Sequence, residues 1–189
     1  LKPRRELILG GQRSGKSRRG EMLAADWLAA SSDHRALLLA TARAEDDEMR
    51  ARIERHRSDR AARVPALETV EEPLALAAAI GLRSDPRTLV LVDCLTLWLT
   101  HRLMPAPGWP VSTDDEVEAA SAELVDAVRA AKGPLVLVGN EIGLGVVPLG
   151  PQVRRFVDAL GRLNQQVAAA CDRVTLMVAG LPLPLKGDA

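Results

Sequence analysis

Aromatic residues are scarce. There is no tyrosine, and the ring residues are Trp27, Trp98, Trp109 and Phe156 in a chain of 189 residues. Stacking platforms of the kind that bind single-stranded nucleic acid are not to be expected, and the core must be aliphatic. Net charge is also absent: Lys plus Arg number 25 and Asp plus Glu number 25. No long-range field therefore favours nucleic acid, and none is expected as a partner. Cysteine is limited to Cys94 and Cys171, too few for a disulfide framework or a four-ligand zinc site. Cys94 lies in an apolar run and reads as a buried small residue. No apolar run reaches membrane-spanning length, and no signal-peptide pattern precedes the first strand. A cytoplasmic location without stable membrane insertion is the expectation; the basic start, Lys2–Arg5, is too short to direct the chain elsewhere.

What is present is ordinary for a globular protein, with 47% apolar and 26% charged residues. The length suits one domain, taken as residues 1–189. Strands are predicted at Glu6–Gly10, Arg35–Thr41, Thr88–Asp93, Leu135–Val138 and Val174–Ala179, the last followed by a Pro/Leu-rich tail. Their continuous apolar runs suit parallel strands covered on both faces. Helices are predicted from Lys16 toward Ala30, over 45–57, over Pro73–Ile80, from a Thr113/Glu116 capping box to about Ala131, and from Pro151 onward. In the helix at 45–57, Glu45, Asp46, Asp47 and Glu48 favour the N-terminus, basic residues crowd the other end, and Ser58–Pro65 reads as a loop. Strand and helix alternate, which predicts an α/β fold with a mostly parallel sheet and helices on both faces.

Gly10-x-x-x-x-Gly15-Lys16-Ser17 fits the P-loop pattern and stands between a predicted strand and a predicted helix, as that pattern requires. The whole cradle is Gly10, Gly11, Gln12, Arg13, Ser14, Gly15, Lys16 and Ser17. Its glycines let successive N–H groups face a β-phosphate, and the helix N-terminus adds favourable potential. Lys16 is placed to reach the β- and γ-phosphates of ATP or GTP, and the Ser17 hydroxyl to ligate Mg²⁺. Asp93, closing the third strand, is the candidate partner for Mg²⁺, directly or through water; the alternative is a turn aspartate.

Around residue 56 the chain is strongly basic, with Arg52, Arg55, His56, Arg57 and then Arg60. Such a cluster could receive a second set of phosphates. Neutral imidazole is also a good nucleophile toward phosphorus, so His56 is either a covalent catalyst or a solvated surface residue. His34 reads as solvated, and His101 as packing on or capping its helix. A second glycine loop, "GNEIGLGVVP" at 139–148, follows a strand at the edge where open parallel sheets bind ligands. It touches substrate or plays a conformational role, and Asn164 and Gln165 on the next helix could support it.

Five blocks together resemble the adenosylcobinamide kinase/adenosylcobinamide-phosphate guanylyltransferase family of cobalamin biosynthesis. They are "LILGGQRSGKSRRGE" at 7–21, "ATARAEDDEMRARIERHR" at 40–57, "LVDCLTLWLT" at 91–100, "GNEIGLGVVP" at 139–148 and "GRLNQQVAA" at 161–169. The resemblance implies a RecA-like P-loop sheet and a homotrimer with its active site near a subunit interface. It implies two reactions: phosphorylation of adenosylcobinamide with ATP or GTP, then transfer of GMP from GTP to adenosylcobinamide phosphate. The second passes through a guanylyl-histidine, which here corresponds to His56, and releases pyrophosphate. Lys16 would serve catalysis alongside His56. Thr41, Ala42 and Arg43 resemble positions near the guanine nucleotide, and Arg57 or Arg60 would stabilise charge at the α-phosphate. Two features depart from the family's pattern: "AARVPALET" at 61–69 lacks a tryptophan common among relatives, and His101 stands where asparagine is common. Two other readings stay open: a P-loop small-molecule kinase with no covalent step, and a GTP-binding regulator with little catalysis.

Overall fold

The computed structural model describes residues 5–44 and 46–187, with the side chain of Arg52 left out. Positions 2–4 of the basic start and Glu45 of the acidic helix entry lie outside the described residues, and so does the Arg52 side chain of the basic cluster.

Strand and helix alternate as β1 (Arg5–Gly10), α1 (Lys16–Ala29), β2 (Arg35–Ala40), α2 (Asp47–Arg63), β3 (Leu67–Glu71), α3 (Leu76–Arg83) and β4 (Thr88–Asp93). There follow α4 (Leu95–Leu103), α5 (Asp114–Ala130), β5 (Leu135–Val138), α6 (Pro151–Ala170), β6 (Arg173–Val178) and β7 (Leu181–Lys186). The seven strands form one sheet in the order β3-β2-β4-β5-β1-β6-β7. All neighbours pair in parallel except β6 with β7.

Side chains alternate across the sheet with the period of two that strands impose. Leu7, Leu9, Leu37, Leu39, Val90, Val92, Leu135 and Leu137 point into one core, covered by α3, α4, α5 and α6. Ile8, Ala36, Leu38, Leu89, Leu91, Val136 and Val138 point into the other, with Ala24, Leu23, Trp27 and Leu28 of α1 and with Val64 just after α2. Each of the fully buried leucines and valines contributes about 1.5–3 kcal/mol relative to exposure. Helices thus cover both faces, and the core is mainly aliphatic, with Trp98 and Phe156 buried in it as well. Gly20 lets α1 sit close to β4, since a Cβ there would meet Leu91 Cδ1 at 2.7 Å. Thr113 and Glu116 form the expected capping box at the start of α5.

Four expectations need correction. Most of the segment 58–65 is not a loop: α2 continues to Arg63, its end braced by Arg63 against Glu21 of α1, so Arg60 is a helix residue and only Val64 and Pro65 lie beyond the helix. The segment 67–71 is a strand the sequence conceals, because at this edge position only Leu67 and Val70, which pack toward opposite cores, are apolar, while Glu68, Thr69 and Glu71 stay polar. The third helix starts at Leu76 rather than Pro73 and runs through Gly81. The Pro/Leu tail is the antiparallel edge strand β7, where prolines are tolerated because one side of the strand needs no ladder donor.

Candidate active site

The turn after β1 has the shape its glycines permit. Gly15 has φ +98°, and at Gly10 an added Cβ would meet the Met177 carbonyl oxygen at 2.5 Å and Ser14 Oγ at 2.7 Å. Two neighbouring loops tie into the turn: Glu141 N–H donates to the Gly10 carbonyl at 3.1 Å, and Gly180 N–H donates to the Ser14 carbonyl at 3.1 Å. Lys16 is buried, with Nζ donating to the Gly11 carbonyl at 2.5 Å, so its ammonium lies inside the loop. Gly11, Gln12 and Arg13 are exposed, and Ser17 is half-buried on the first turn of α1.

Asp93 lies on the same edge of the sheet. It is level with Val138, which pairs one strand further on with Ile8, two residues before Gly10. One strand therefore separates β4 from β1, a distance of about 10 Å at ordinary strand spacing. Electrostatics connect the parts: burial pushes the Cys94 thiol up to about 12, Asp93 adds to that, and Lys16 opposes it. Burial lowers the Arg60 guanidinium from its usual value, with Glu21 and Asp93 pulling it back up. Lys16 and Arg60 thus both lie within electrostatic reach of the Asp93–Cys94 end of β4.

Ser17 and Asp93 offer hydroxyl and carboxylate oxygens, the donors that Mg²⁺ takes. Among the described residues no group of three His, Cys, Asp or Glu could hold a metal by itself. A cation there would complete its shell with phosphate oxygens and water, as Mg²⁺ usually does in nucleotide sites. The residues fit such a metal–nucleotide.

Thr41 is fully buried, with Oγ1 donating to the Cys94 carbonyl at 2.8 Å and accepting from Cys94 N–H at 2.7 Å. Its own N–H donates to the Asp93 carbonyl at 3.0 Å. The hydroxyl is committed to the backbone at Asp93–Cys94, so of Thr41, Ala42 and Arg43 only the last two have half-exposed side chains for a ligand. Arg43 lies over the exposed Trp109 ring, 4.3 Å from its centroid. His101 is buried with Nε2 2.9 Å from the Thr41 carbonyl, the packing role expected of it. His34 is not solvated: it stacks on Trp27 at 3.6 Å and Nδ1 lies 2.8 Å from the Trp27 carbonyl.

His56 stands exposed on α2, as does Arg57, which pairs with Glu71 of β3. The helix is capped by Asp46, whose side chain accepts from Met49 N–H at 2.6 Å. Beyond that it is polar on nearly every side: Met49, Ile53 and Arg60 are half-buried and the other described side chains are exposed. Met49 and Ile53 do share an inward face, but His56 does not join them.

The second glycine loop starts from a fixed root. Asn140 N–H donates to Thr96 Oγ1 at 2.8 Å, and Asn164 Nδ2 donates to the Asn140 carbonyl at 3.0 Å. Asn164 therefore supports the loop, whereas Gln165 is exposed. Past this root Leu144, Val146, Val147 and Leu149 are 72–95% exposed.

Sequence reasoning missed Thr96 and Glu21. Glu21 could have been noticed, because it follows Gly20 on the face of α1 that also buries Lys16 and Ala24. Nothing local marks Thr96, whose role depends on a partner 44 residues away.

A family model described as CobU, cobinamide kinase / cobinamide phosphate guanyltransferase, matches residues 6–185. The bifunctional adenosylcobalamin biosynthesis protein CobP of Pseudomonas aeruginosa is 50% identical over 97% of this chain and 98% of its own length. The CobU proteins of Escherichia coli and Salmonella typhimurium are 36% and 35% identical, each over 95% of this chain and 98% of their own. Among solved structures, the Pyrococcus horikoshii protein PH0250 aligns with TM-score 0.55 at 9% identity, covering 98% of this chain and 87% of its own. The flagellar accessory protein FlaH of Methanocaldococcus jannaschii aligns with TM-score 0.53 at 13% identity, covering 99% and 80%. These two likenesses speak for the fold alone, a mostly parallel α/β sheet. Matched along nearly its whole length by the family and by these curated relatives, the chain belongs to the cobinamide kinase / cobinamide phosphate guanyltransferase family.

Proposed function

We propose that this protein phosphorylates adenosylcobinamide with ATP or GTP and then transfers GMP from GTP to the resulting phosphate. The observation that carries this reading is the match over residues 6–185, which includes both the P-loop and the His56 helix. A plain P-loop kinase would account for the first and leave the second unexplained.

In the kinase step the acceptor hydroxyl attacks the γ-phosphorus, the bond from that phosphorus to the β–γ bridging oxygen breaks, and the nucleoside diphosphate leaves. The hydroxyl proton passes to solvent. Lys16 and the amides of 10–17 hold the β- and γ-phosphates, and the buried position of Lys16 strengthens its field. Mg²⁺, held by Ser17 and Asp93, would supply charge neutralisation on the phosphates. In the second reaction a ring nitrogen of His56 bonds to the α-phosphorus and pyrophosphate leaves. An oxygen of adenosylcobinamide phosphate then attacks the same phosphorus and the N–P bond breaks. Two easier displacements replace one difficult one. Arg57 and Arg60 stabilise the charge that develops at the α-phosphate, and Ala42 and Arg43 lie beside the nucleotide. Thr41 acts by holding the end of β4.

Residues 1–189 act as one RecA-like P-loop unit. Its support is the strand order, in which β5 stands between the P-loop strand and the strand bearing Asp93. The exposed side chains at 144–149 suit contact with a large, methyl-rich acceptor, since their loop is rooted on Gly10. The protein works as a homotrimer; the bare surface of α2 supports an arrangement in which a neighbouring subunit covers the site.

Product analysis tests this reading. Adenosylcobinamide with GTP should give first the phosphate and then adenosylcobinamide-GDP, with one pyrophosphate per GDP product. Phosphate that accumulates without further conversion would leave only the kinase.

A further inference from the structure

Among the described residues helix α2 makes few polar contacts with other elements, and the one with the most deeply buried partner is at its C-terminal end. Arg63 Nε donates to Glu21 Oε2 at 2.8 Å, and Arg63 Nη2 lies 2.7 Å from the same oxygen. The Glu21 side chain is 5% exposed and the Arg63 side chain 39%. A carboxylate this deeply buried must be paired to be tolerated. Arg60, one turn earlier, also lies in the field of Glu21 and of Asp93. Glu21 itself sits on α1 four residues after Ser17, on the stretch of helix that Gly20 presses against Leu91 of β4. It is thus fixed to the P-loop and to the Asp93 strand by the close packing of α1 on β4.

His56 precedes Arg63 by seven residues, about two helical turns or 10 Å along the axis. It is set into position by wherever that end of the helix is held. Among the described residues the other polar ties of α2 are more exposed: the Asp46 cap and the Arg50–Asp47 pair close the helix on itself, and Arg57 pairs with Glu71 on an exposed edge strand.

We infer that Glu21 is a positioning residue for guanylyl transfer: through Arg63 it anchors the His56 helix to the P-loop helix, so that the nucleophile is held in range of the nucleotide's α-phosphate. This rests on the proposed role of His56. The anchor serves the second reaction only, because the kinase step uses Lys16, Ser17 and Asp93, none of which sits on α2.

The two half-reactions of the native-length protein separate this role from general stabilisation. Single-turnover labelling from α-³²P-GTP reads the His56 step, and phosphate formation on adenosylcobinamide reads the kinase. Arg63→Ala, which empties a partly exposed position, is expected to slow labelling about tenfold while kinase kcat stays within about twofold. Glu21→Gln should do the same or more, and the double variant no worse than Glu21→Gln alone, because both remove one contact. Arg63→Lys should recover part of the labelling rate. Equal losses in both half-reactions, or undiminished labelling in Arg63→Ala, would overturn the anchor. If the unaltered protein takes no label, it is instead the His56 reading that fails.

Discussion

The P-loop and the helix that carries His56 meet at Glu21, yet they are built in different ways. The P-loop is braced although Gly11, Gln12 and Arg13 are exposed: Lys16 and Ser14 are buried, backbone bonds from two other loops close on it, and α1 behind it packs into the sheet. Helix α2 lies outside both cores, with three half-buried side chains among those described and its anchor at one end. A phosphate cradle benefits from being fixed before the ligand arrives, since preorganised donors pay no reorganisation cost during reaction. A nucleophile that must approach an α-phosphate, receive a group and present it to a second substrate gains from a loosely held support.

That contrast can be broken at the cradle first. Lys16→Ala should lower kcat of both half-reactions about 10²–10³-fold, because both need the β- and γ-phosphates held; loss of one alone would mean that the two reactions use separate nucleotide sites. A smaller effect is expected where Thr41 supports Asp93. Thr41→Val keeps the shape but strips Cys94 N–H of its acceptor, and should cost about 1–3 kcal/mol in chemical denaturation.

Alkaline pH probes the same rigid region. Burial pushes the thiols of Cys94 and Cys171 from 9.0 up to about 12 in the folded chain. A raised folded value means that this contribution is fully present below pH 9 and is lost as pH climbs toward 12, where the unfolded chain gains by ionising first. Thermal midpoints should fall over that window, and Cys171→Ala should flatten the slope. The smallest effect belongs to α2. Asp46→Ala should cost its helix about 1 kcal/mol, seen as faster amide exchange within 47–63 and unchanged exchange in β1, β4 and β5. Faster exchange throughout would show that the helix is not the separable element described here.

What the sequence displayed follows the same division. Strands β1, β2, β4, β5 and β6 were readable because each is a short apolar run buried on both faces, and the P-loop because its spacing is a chemical requirement. The edges were not readable. β3 carries Glu68, Thr69 and Glu71 on a strand with only one neighbour, and β7 carries Pro182 and Pro184, which argue against a strand anywhere but an edge. The true end of α2 was hidden because Arg60 and Arg63 look like loop residues until Glu21 is seen beside Arg63. Thr41 carries the same lesson at the site: nothing in its sequence neighbourhood says that its hydroxyl is spent on the backbone of Cys94 53 residues away.

The central claim is that His56, exposed on its polar helix, carries the guanylyl group. Incubating the native protein and His56→Ala with α-³²P-GTP and Mg²⁺, then denaturing, tests it most directly. The account predicts acid-labile label on the native chain, none on His56→Ala, and kinase activity retained in both. Equal label on the two proteins, or none on a native protein shown to bind GTP, would contradict it.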